Sequence, residues 1–209
     1  MPPDESMPVL TEESGLTTRC RILAVASEFF HEIGYQKTTV ADIARALKMS
    51  PANVYRFFES KKAINEAVLE RLIGEVEALI SEIAERPGLD PTERFVAVIE
   101  TLHRDCTRRC EAFPRLHEMI EAAMAESWEV CRHHVARITA GIERIIRDGV
   151  DHGVFEAADP AEAAGCVHAA IARYTHPVLV GKSPLQPAPS VEAMTAFLLR
   201  SLAPRGSRP

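Results

Sequence analysis

The sequence has no apolar run that approaches the ~20 residues needed for a membrane-spanning helix. Its first 16 residues are acidic and contain three prolines, which does not match the basic and then apolar pattern of a secretory signal peptide. The five cysteines are an odd number spread through helical sequence, so we expect reduced thiols rather than a disulfide framework. Together these absences predict a cytoplasmic protein.

The sequence also lacks the common local signatures of catalysis. It contains no nucleophile elbow, no phosphate-binding loop and no HExxH zinc motif. We therefore expect a protein that is not an enzyme and that needs no cofactor.

Charge is unevenly distributed along the chain. The 209 residues carry a net charge of −6, yet residues 17–62 contain eight Lys or Arg and only four Asp or Glu. This segment is at +4, so the remainder is at −10. A basic module on an acidic body is expected when only one part of a protein approaches a polyanion. Chance clustering on a solvated face is the alternative.

Apolar residues recur at helical spacing along most of the chain, and no segment reads as a credible strand. The pattern predicts an all-α fold. Helices are expected at residues 17–33, 40–47, 51–58, 61–85, 92–109, 114–123, 126–150, 160–178 and 191–202. The ends of the chain, residues 1–16 and 204–209, show no such period, so we expect a disordered arm and a disordered tail.

Two short predicted helices lie on either side of a turn of about three residues. Thr39 is a candidate N-cap for the first helix, and Ser50 followed by Pro51 is an N-cap and first-turn pair for the second. This arrangement predicts a helix-turn-helix, in which the second helix enters the major groove of DNA. The alternative is an ordinary corner between two helices, whose Tyr55 and Arg56 only cover apolar surface.

Two lysines begin the next helix. Ser60 is its candidate N-cap, so Lys61 and Lys62 fall in the first turn, where positive charge opposes the helix dipole. A bound phosphate would reverse that penalty, because backbone N–H groups and ammonium groups would then converge on one anion. The lysines therefore indicate a phosphate contact.

Residues 17–70, and above all GYQKTTVADIARALKMSPANVYRFFESKKAINEAV, resemble the DNA-binding domain of the TetR family of transcriptional regulators. The resemblance implies a three-helix helix-turn-helix domain at residues 17–62. It also implies that a long fourth helix leads into a ligand-binding and dimerisation domain at residues 63–203, with about nine helices in all. Phosphate contacts by Thr39, Tyr55 and Lys61 are implied as well, with base reading by Asn53, Arg56 and Ala52. The complete predicted DNA-contacting set is Thr38, Thr39, Lys48, Ser50, Ala52, Asn53, Tyr55, Arg56 and Lys61.

One position departs from the family pattern. Lys48 occupies the tight turn in which the family usually has Gly. A positive φ there would strain a lysine by about 1 kcal/mol. Either the turn is relaxed, or Lys48 is tolerated because it reaches a phosphate.

The helices after residue 61 carry residue types that suit an apolar pocket with a few polar anchors. The predicted pocket residues are His103, Cys106, Phe113, His117, Trp128, Cys131 and Tyr174. The small residues of AEAAGCVHAAIARY, together with Phe197 and Leu198, suggest a helix-on-helix dimer seam. The resemblance likewise implies a homodimer formed through the last two helices.

Thiols and imidazoles share helix faces in two places. His103, Cys106 and Cys110 have i, i+3, i+7 spacing, and Cys131 and His134 have i, i+3 spacing. Such groups bind soft metals or sense oxidants, but no closed CxxC pair is present. We therefore expect no metal, and we interpret the cysteines as small apolar residues.

The sequence as a whole predicts a one-component, ligand-responsive transcriptional regulator. We expect a repressor that binds palindromic operator DNA as a homodimer and is released by a small, largely apolar effector. The alternative is a small all-α metal- or thiol-dependent protein or enzyme that uses Cys106, Cys110 and His103.

Overall fold

The computed structural model describes residues 11–112, 115, 118–120, 122–123, 129–180 and 189–204. Within these ranges the chain forms nine helices with described bounds, further helical residues between 118 and 123, and no strand, which confirms the predicted all-α class. The helices are α1 Thr11–Glu32, α2 Val40–Ala46, α3 Pro51–Tyr55, α4 Lys61–Glu85, α5 Pro91–Ala112, α6 Glu129–Asp151, α7 Pro160–Thr175, α8 Pro177–Val180 and α9 Val191–Leu202. In the predicted helix at residues 114–123, the described residues 118–120 and 122–123 are helical.

The first helix begins earlier than predicted. α1 starts at Thr11 rather than at residue 17, so residues 11–16 are helical and not part of a disordered arm. Once a helix is nucleated, each added residue gains a backbone hydrogen bond. Pro8 is the last proline before the helix, so no proline in residues 11–16 stops this extension. Residues 1–10 and 205–209 lie outside the described ranges.

The chain divides into two compact units, Met1–Val68 and Leu69–Pro209. In the first unit, α1, α2, α3 and the start of α4 enclose a small apolar core. Its fully buried side chains include Ile22, Phe30, Ile43, Val54 and Ile64. The rings of Phe30 and Tyr35 meet edge to face with their centroids 5.3 Å apart, which orients the loop after α1.

The second unit is built around α5, α6 and α7. Its core is rich in isoleucine, with Ile99, Ile142, Ile145, Ile146 and Ile171 almost fully buried. Burial of this kind provides the main favourable term in folding. The second unit therefore has a continuous apolar core of its own.

Arg94 of α5 connects three parts of the second unit. Its Nη1 donates to the Ala84 carbonyl oxygen near the end of α4, at 2.8 Å, and its Nη2 pairs with the Asp148 carboxylate of α6. The last carbonyls of a helix have no partner within the helix. Arg94 thus caps α4 while joining it to α5 and α6.

None of the described helices is long and apolar enough to cross a membrane.

Candidate nucleic-acid interface and cavity

Thr39 caps α2 in both directions. Its hydroxyl oxygen accepts from the Asp42 backbone N–H at 3.2 Å, and the Asp42 carboxylate accepts from the Thr39 backbone N–H at 3.0 Å. The Thr39 hydroxyl also donates to that carboxylate at 2.6 Å, and this hydrogen bond holds the pKa of Asp42 below its usual range. The capping box therefore holds the exposed Thr39 side chain in place at the surface.

Helix α3 is also capped as predicted. The Ser50 hydroxyl accepts from the Asn53 backbone N–H at 3.2 Å, and Pro51 occupies the first turn. Val54 is fully buried, which fixes the face that α3 turns towards the core. The residues that remain accessible are Ala52, Tyr55 and Arg56, which are exposed, and Asn53, which is half-buried.

The turn between α2 and α3 contains a strained residue. Lys48 is exposed and has a φ of +56°, the only positive φ outside glycine among the described residues. The left-handed region costs an ordinary L-residue roughly 1 kcal/mol or more. Of the two outcomes expected for this position, the structure has the strained turn with the lysine at its surface.

Lys61 is held at the first turn of α4. The Ser60 hydroxyl accepts from the Ala63 backbone N–H at 3.0 Å, and the first turn of α4 contains no acidic residue. The Lys61 Nζ donates to the Gln36 carbonyl oxygen at 3.3 Å and lies 4.2 Å from the centroid of the Tyr35 ring. Positive charge is thus placed beside the positive end of a helix, which disfavours the free protein and favours a bound anion.

Thr38 does not belong with the exposed set. It is 1% exposed, and its hydroxyl donates to the Gly34 carbonyl oxygen at 2.8 Å. Its backbone N–H donates to the same oxygen at 3.2 Å. Because both donors are used internally, Thr38 fixes the loop before α2, and we correct its predicted role as a DNA contact.

The second unit contains a cavity of about 140 Å³, walled by parts of α4, α5, α6, α7 and α8. Most of the wall is apolar, with a smaller set of polar residues. The apolar lining includes Leu69, Leu72, Ile73, Val76, Leu102, Ile120, Val130, Val135, Ile138, Ala172 and Pro177. The polar lining consists of Asp105, Cys106, Arg109, Cys131, His134, His168, Thr175 and His176.

The predicted pocket residues divide into three groups. Cys106 and Cys131 line the cavity. His103 and Tyr174 do not line it; the His103 Nδ1 lies 2.9 Å from the Tyr174 carbonyl oxygen, and the two rings meet edge to face. The remaining predictions, Phe113, His117 and Trp128, lie outside the described residues.

The thiols of this region are not activated. Burial raises the pKa of Cys106 far above its usual range, and burial also raises the pKa values of Cys110 and Cys131. Thiolates are the reactive and metal-binding form of cysteine. Within the described residues, no three His, Cys, Asp or Glu side chains are grouped so that they could hold a metal ion.

Several polar residues of the cavity were missed by sequence reasoning, notably Arg109, His168 and His176. Arg109 lies in the charged run RDCTRRC, and its i, i+4 relation to Asp105 is the one local signal of a pair on one helix face. The Nε of Arg109 donates to the Asp105 carboxylate at 2.5 Å. Neither histidine has a local sequence signal, because the wall is assembled from separate helices.

The three histidines of the wall have different partners. His134 Nδ1 lies 2.9 Å from the Glu77 carboxylate, and His168 Nδ1 lies 2.7 Å from the Thr139 hydroxyl oxygen. His176 Nδ1 is buried without a hydrogen-bond partner among the described residues. Burial lowers the pKa values of His168 and His176, so both rings are held in the neutral form.

Small residues on α7 and an aromatic residue on α9 are accessible. Gly165, Cys166 and Ala169 of α7 are exposed, and Phe197 of α9 is 59% exposed. Leu198 is only 6% exposed and packs in the core, so its predicted place in a dimer seam is wrong. Adjacent residues on a helix point about 100° apart, which is why Phe197 and Leu198 do not share a face.

Both units of the chain are matched by models of known protein families. A family model described as bacterial regulatory proteins, tetR family, matches residues 22–68, and one described as tetracyclin repressor-like, C-terminal domain, matches residues 91–190. The HTH-type transcriptional repressor DhaR of Mycobacterium sp. (strain GP1) is 32% identical over 88 residues, which span 40% of this chain and 44% of that repressor. The chain is therefore matched to less than half of that relative's length.

Solved structures match over most of the chain. A regulator of the TetR/AcrR family from Thermobifida fusca has a TM-score of 0.65 and 26% identity, covering 92% of this chain and all of that one. The TetR-family regulator PfmR from Thermus thermophilus has a TM-score of 0.58 and 28% identity, covering 86% of this chain and 97% of that one.

The capped helix pair and these matches define a helix-turn-helix transcriptional regulator. The chain belongs to the TetR family of bacterial transcriptional regulators.

Proposed function

We propose that this chain is a repressor that binds palindromic operator DNA as a homodimer and is released by a small, largely apolar effector. The DNA contacts are assigned to Thr39, Lys48, Ser50, Lys61 and the accessible residues of α3. The observation that carries the proposal is the position of Lys61, held by Gln36 and Tyr35 at a helix start that has no acidic residue. We place this activity in the cytoplasm, the compartment that holds bacterial DNA.

The homodimer is assigned to α7 and α9. Small side chains let two helices approach closely, and a large exposed aromatic residue gives apolar area to bury. Gly165 and Phe197 meet these two requirements. A two-fold dimer would present two α3 helices to half-sites separated by about one turn of DNA, ~34 Å.

The effector site is assigned to the cavity of the second unit. Helix α4 begins at Lys61 and also contributes Leu69, Leu72, Ile73 and Val76 to the cavity wall. A molecule that shifts this helix would therefore also shift the proposed phosphate contact. A coupling of about 1 to 3 kcal/mol is enough for a 5- to 150-fold loss of DNA affinity.

The test of the DNA interface is a gel-shift titration of operator DNA, selected in vitro, at several salt concentrations. Lys61→Ala should weaken binding to all sequences and reduce the slope of log affinity against log salt by about 1 per half-site, because one phosphate contact is lost. Arg56→Ala should relax sequence preference instead.

Lys62→Ala is the matched control. Lys62 occupies the next helix position and pairs with Glu66 at 3.9 Å, so its removal should change the slope less. An unchanged slope in the Lys61→Ala protein, or equal slopes in the two variants, would contradict the assigned contact.

A further inference from the structure

Arg109 is a buried charge in the cavity wall. Its side chain is 9% exposed. Within the described residues it makes one hydrogen bond, from its Nε to the Asp105 carboxylate. Its Nη2 is buried and has no hydrogen-bond partner there. A buried guanidinium is costly unless its donors are satisfied, so the unsatisfied Nη2 marks a position that would accept a hydrogen-bonding group.

Glu75 competes weakly for this position. Its carboxylate lies 3.6 Å from the Arg109 Nη2, which is outside hydrogen-bond distance, and its side chain is 71% exposed. Water screens such a pair, and an exposed carboxylate loses little on turning back into solvent. An acceptor inside the cavity would therefore replace Glu75 at low cost.

The charges around Asp105 favour an anion over a cation. The Asp105 carboxylate accepts from Arg109 and, at 2.8 Å, from Arg108, so one buried acid is matched by two guanidinium groups. A cationic ligand would find that carboxylate already occupied. An anionic ligand would meet the Nη2 of Arg109, which has no hydrogen-bond partner among the described residues and can donate charge-assisted hydrogen bonds to a carboxylate.

A second unsatisfied polar atom lies on the same wall. The buried Nδ1 of His176 has no partner among the described residues, and burial keeps its ring neutral, so it can donate a hydrogen bond or accept one. The rest of the lining is mainly apolar, including Leu72, Val76 and Ile138. A complementary molecule has a compact apolar body and one polar, negatively charged end.

We propose that the effector is an apolar monocarboxylate whose carboxylate binds the Nη2 of Arg109. This inference rests on the proposed role of the cavity as the effector site. It narrows the effector class from largely apolar molecules in general to apolar carboxylic acids. Arg109 would then be the residue that distinguishes an acid from an uncharged or cationic molecule of similar size.

The test is calorimetric titration of the full-length protein, without DNA, with octanoate, octanol and octylamine as probes. Octanoate should bind more tightly than octanol, and octylamine most weakly. Arg109→Gln should weaken octanoate binding about 10- to 100-fold, because a hydrogen bond to a charged group is lost, and should leave octanol binding within about threefold.

Glu75→Gln tests the same contact at an exposed position where folding is not at risk. Removing the competing carboxylate should tighten octanoate binding about 1.5- to 5-fold and leave octanol binding unchanged. Equal affinities for octanoate and octanol in the native protein, or a preference for octylamine, would overturn the carboxylate assignment. So would an octanoate affinity that neither variant changes.

Because these titrations contain no DNA, they separate this inference from the proposed function. If octanoate binds through Arg109 but leaves operator affinity unchanged, the monocarboxylate site stands and the effector-release mechanism fails. If another ligand releases the operator while octanoate does not bind, the effector-release mechanism stands and the monocarboxylate site fails.

Discussion

The second unit encloses several charged side chains. Among the described residues, the charged residues buried as a whole are Arg94 and Arg109, and the side chains of Glu77 and Asp105 are only 8% and 11% exposed. All four residues lie beyond residue 68, in the second unit. An exposed charge such as Lys48 costs little and suits a large polyanion that brings many phosphates. An enclosed charge must be paired, so it suits a defined partner, either within the protein or in a small ligand.

Both units use local and distant hydrogen bonds, in different places. In the first unit, Thr39 and Ser50 bond to backbone groups three residues away, while Lys61 reaches Gln36, 25 residues away. In the second, Arg94 reaches Ala84 and Asp148, which are 10 and 54 residues away. The caps fix residues at the surface of the first unit, whereas Arg94 joins three helices of the second.

The strongest test of this difference removes one arginine from each unit. Arg94→Met should lower the free energy of unfolding by about 2 to 4 kcal/mol, because Asp148 loses its partner and the Ala84 carbonyl loses its cap. Arg45→Met removes a surface pair with Asp42 and should cost no more than about 1 kcal/mol. Urea unfolding followed by circular dichroism measures both. Equal losses of unfolding free energy in the two variants would show that the buried arginine contributes no more to stability than the exposed one.

A smaller effect is expected at Thr38, where a polar side chain of the first unit is buried. Thr38→Val should lower stability by about 1 kcal/mol, since the hydroxyl bond to Gly34 is lost while the shape is kept. Operator binding by the folded fraction should keep the native salt slope. Because a neutral hydroxyl releases no counterion, operator affinity at a fixed salt concentration is the deciding measurement. A loss of about tenfold in the folded fraction would restore Thr38 to the DNA-contacting set.

The smallest expected effect concerns the strained turn. Lys48→Gly should raise stability by up to about 1 kcal/mol, because glycine adopts a φ of +56° without strain. Lys48→Ala is the matched control, since it removes the same charge and keeps the strain. We expect both variants to reduce the salt slope equally, because both lose the lysine charge. Only the glycine variant should gain stability, because only glycine relieves the strain of the positive φ. Equal stabilities would show that the turn relaxes.

Features that depend on neighbouring residues could be predicted from the sequence. Thr39, Ser50 and Ser60 cap helices as expected, and the last helix spans Val191–Leu202 as predicted. A cap is set by a few consecutive residues, so a short stretch of sequence contains the needed information. The strain at Lys48 was one of the two outcomes expected for that turn, and it was raised by the resemblance to the family rather than by a local pattern.

Features that depend on distant residues could not be predicted. Arg109 and His176 reach the same cavity from α5 and from the residue after α7, and no spacing along the chain signals that meeting. Thr38 follows a loop, where no helical period indicates which side chains are buried. The sequence places Leu198 in the last helix, but it does not show which face of that helix packs against the core. The predicted dimer seam therefore included a residue that is buried.

The burial of the thiols sorts the five cysteines for chemical labelling. Cys20 in α1 and Cys166 in α7 are exposed, one in each unit, while Cys106 is buried with a raised pKa. A thiol-selective dye should therefore attach first at two native positions, because alkylation needs both access and thiolate. The natural chain is thus supplied with one attachment point per unit for fluorescence distance measurements, and the Cys166 point lies on the proposed dimer face, where pairing of two chains would protect it.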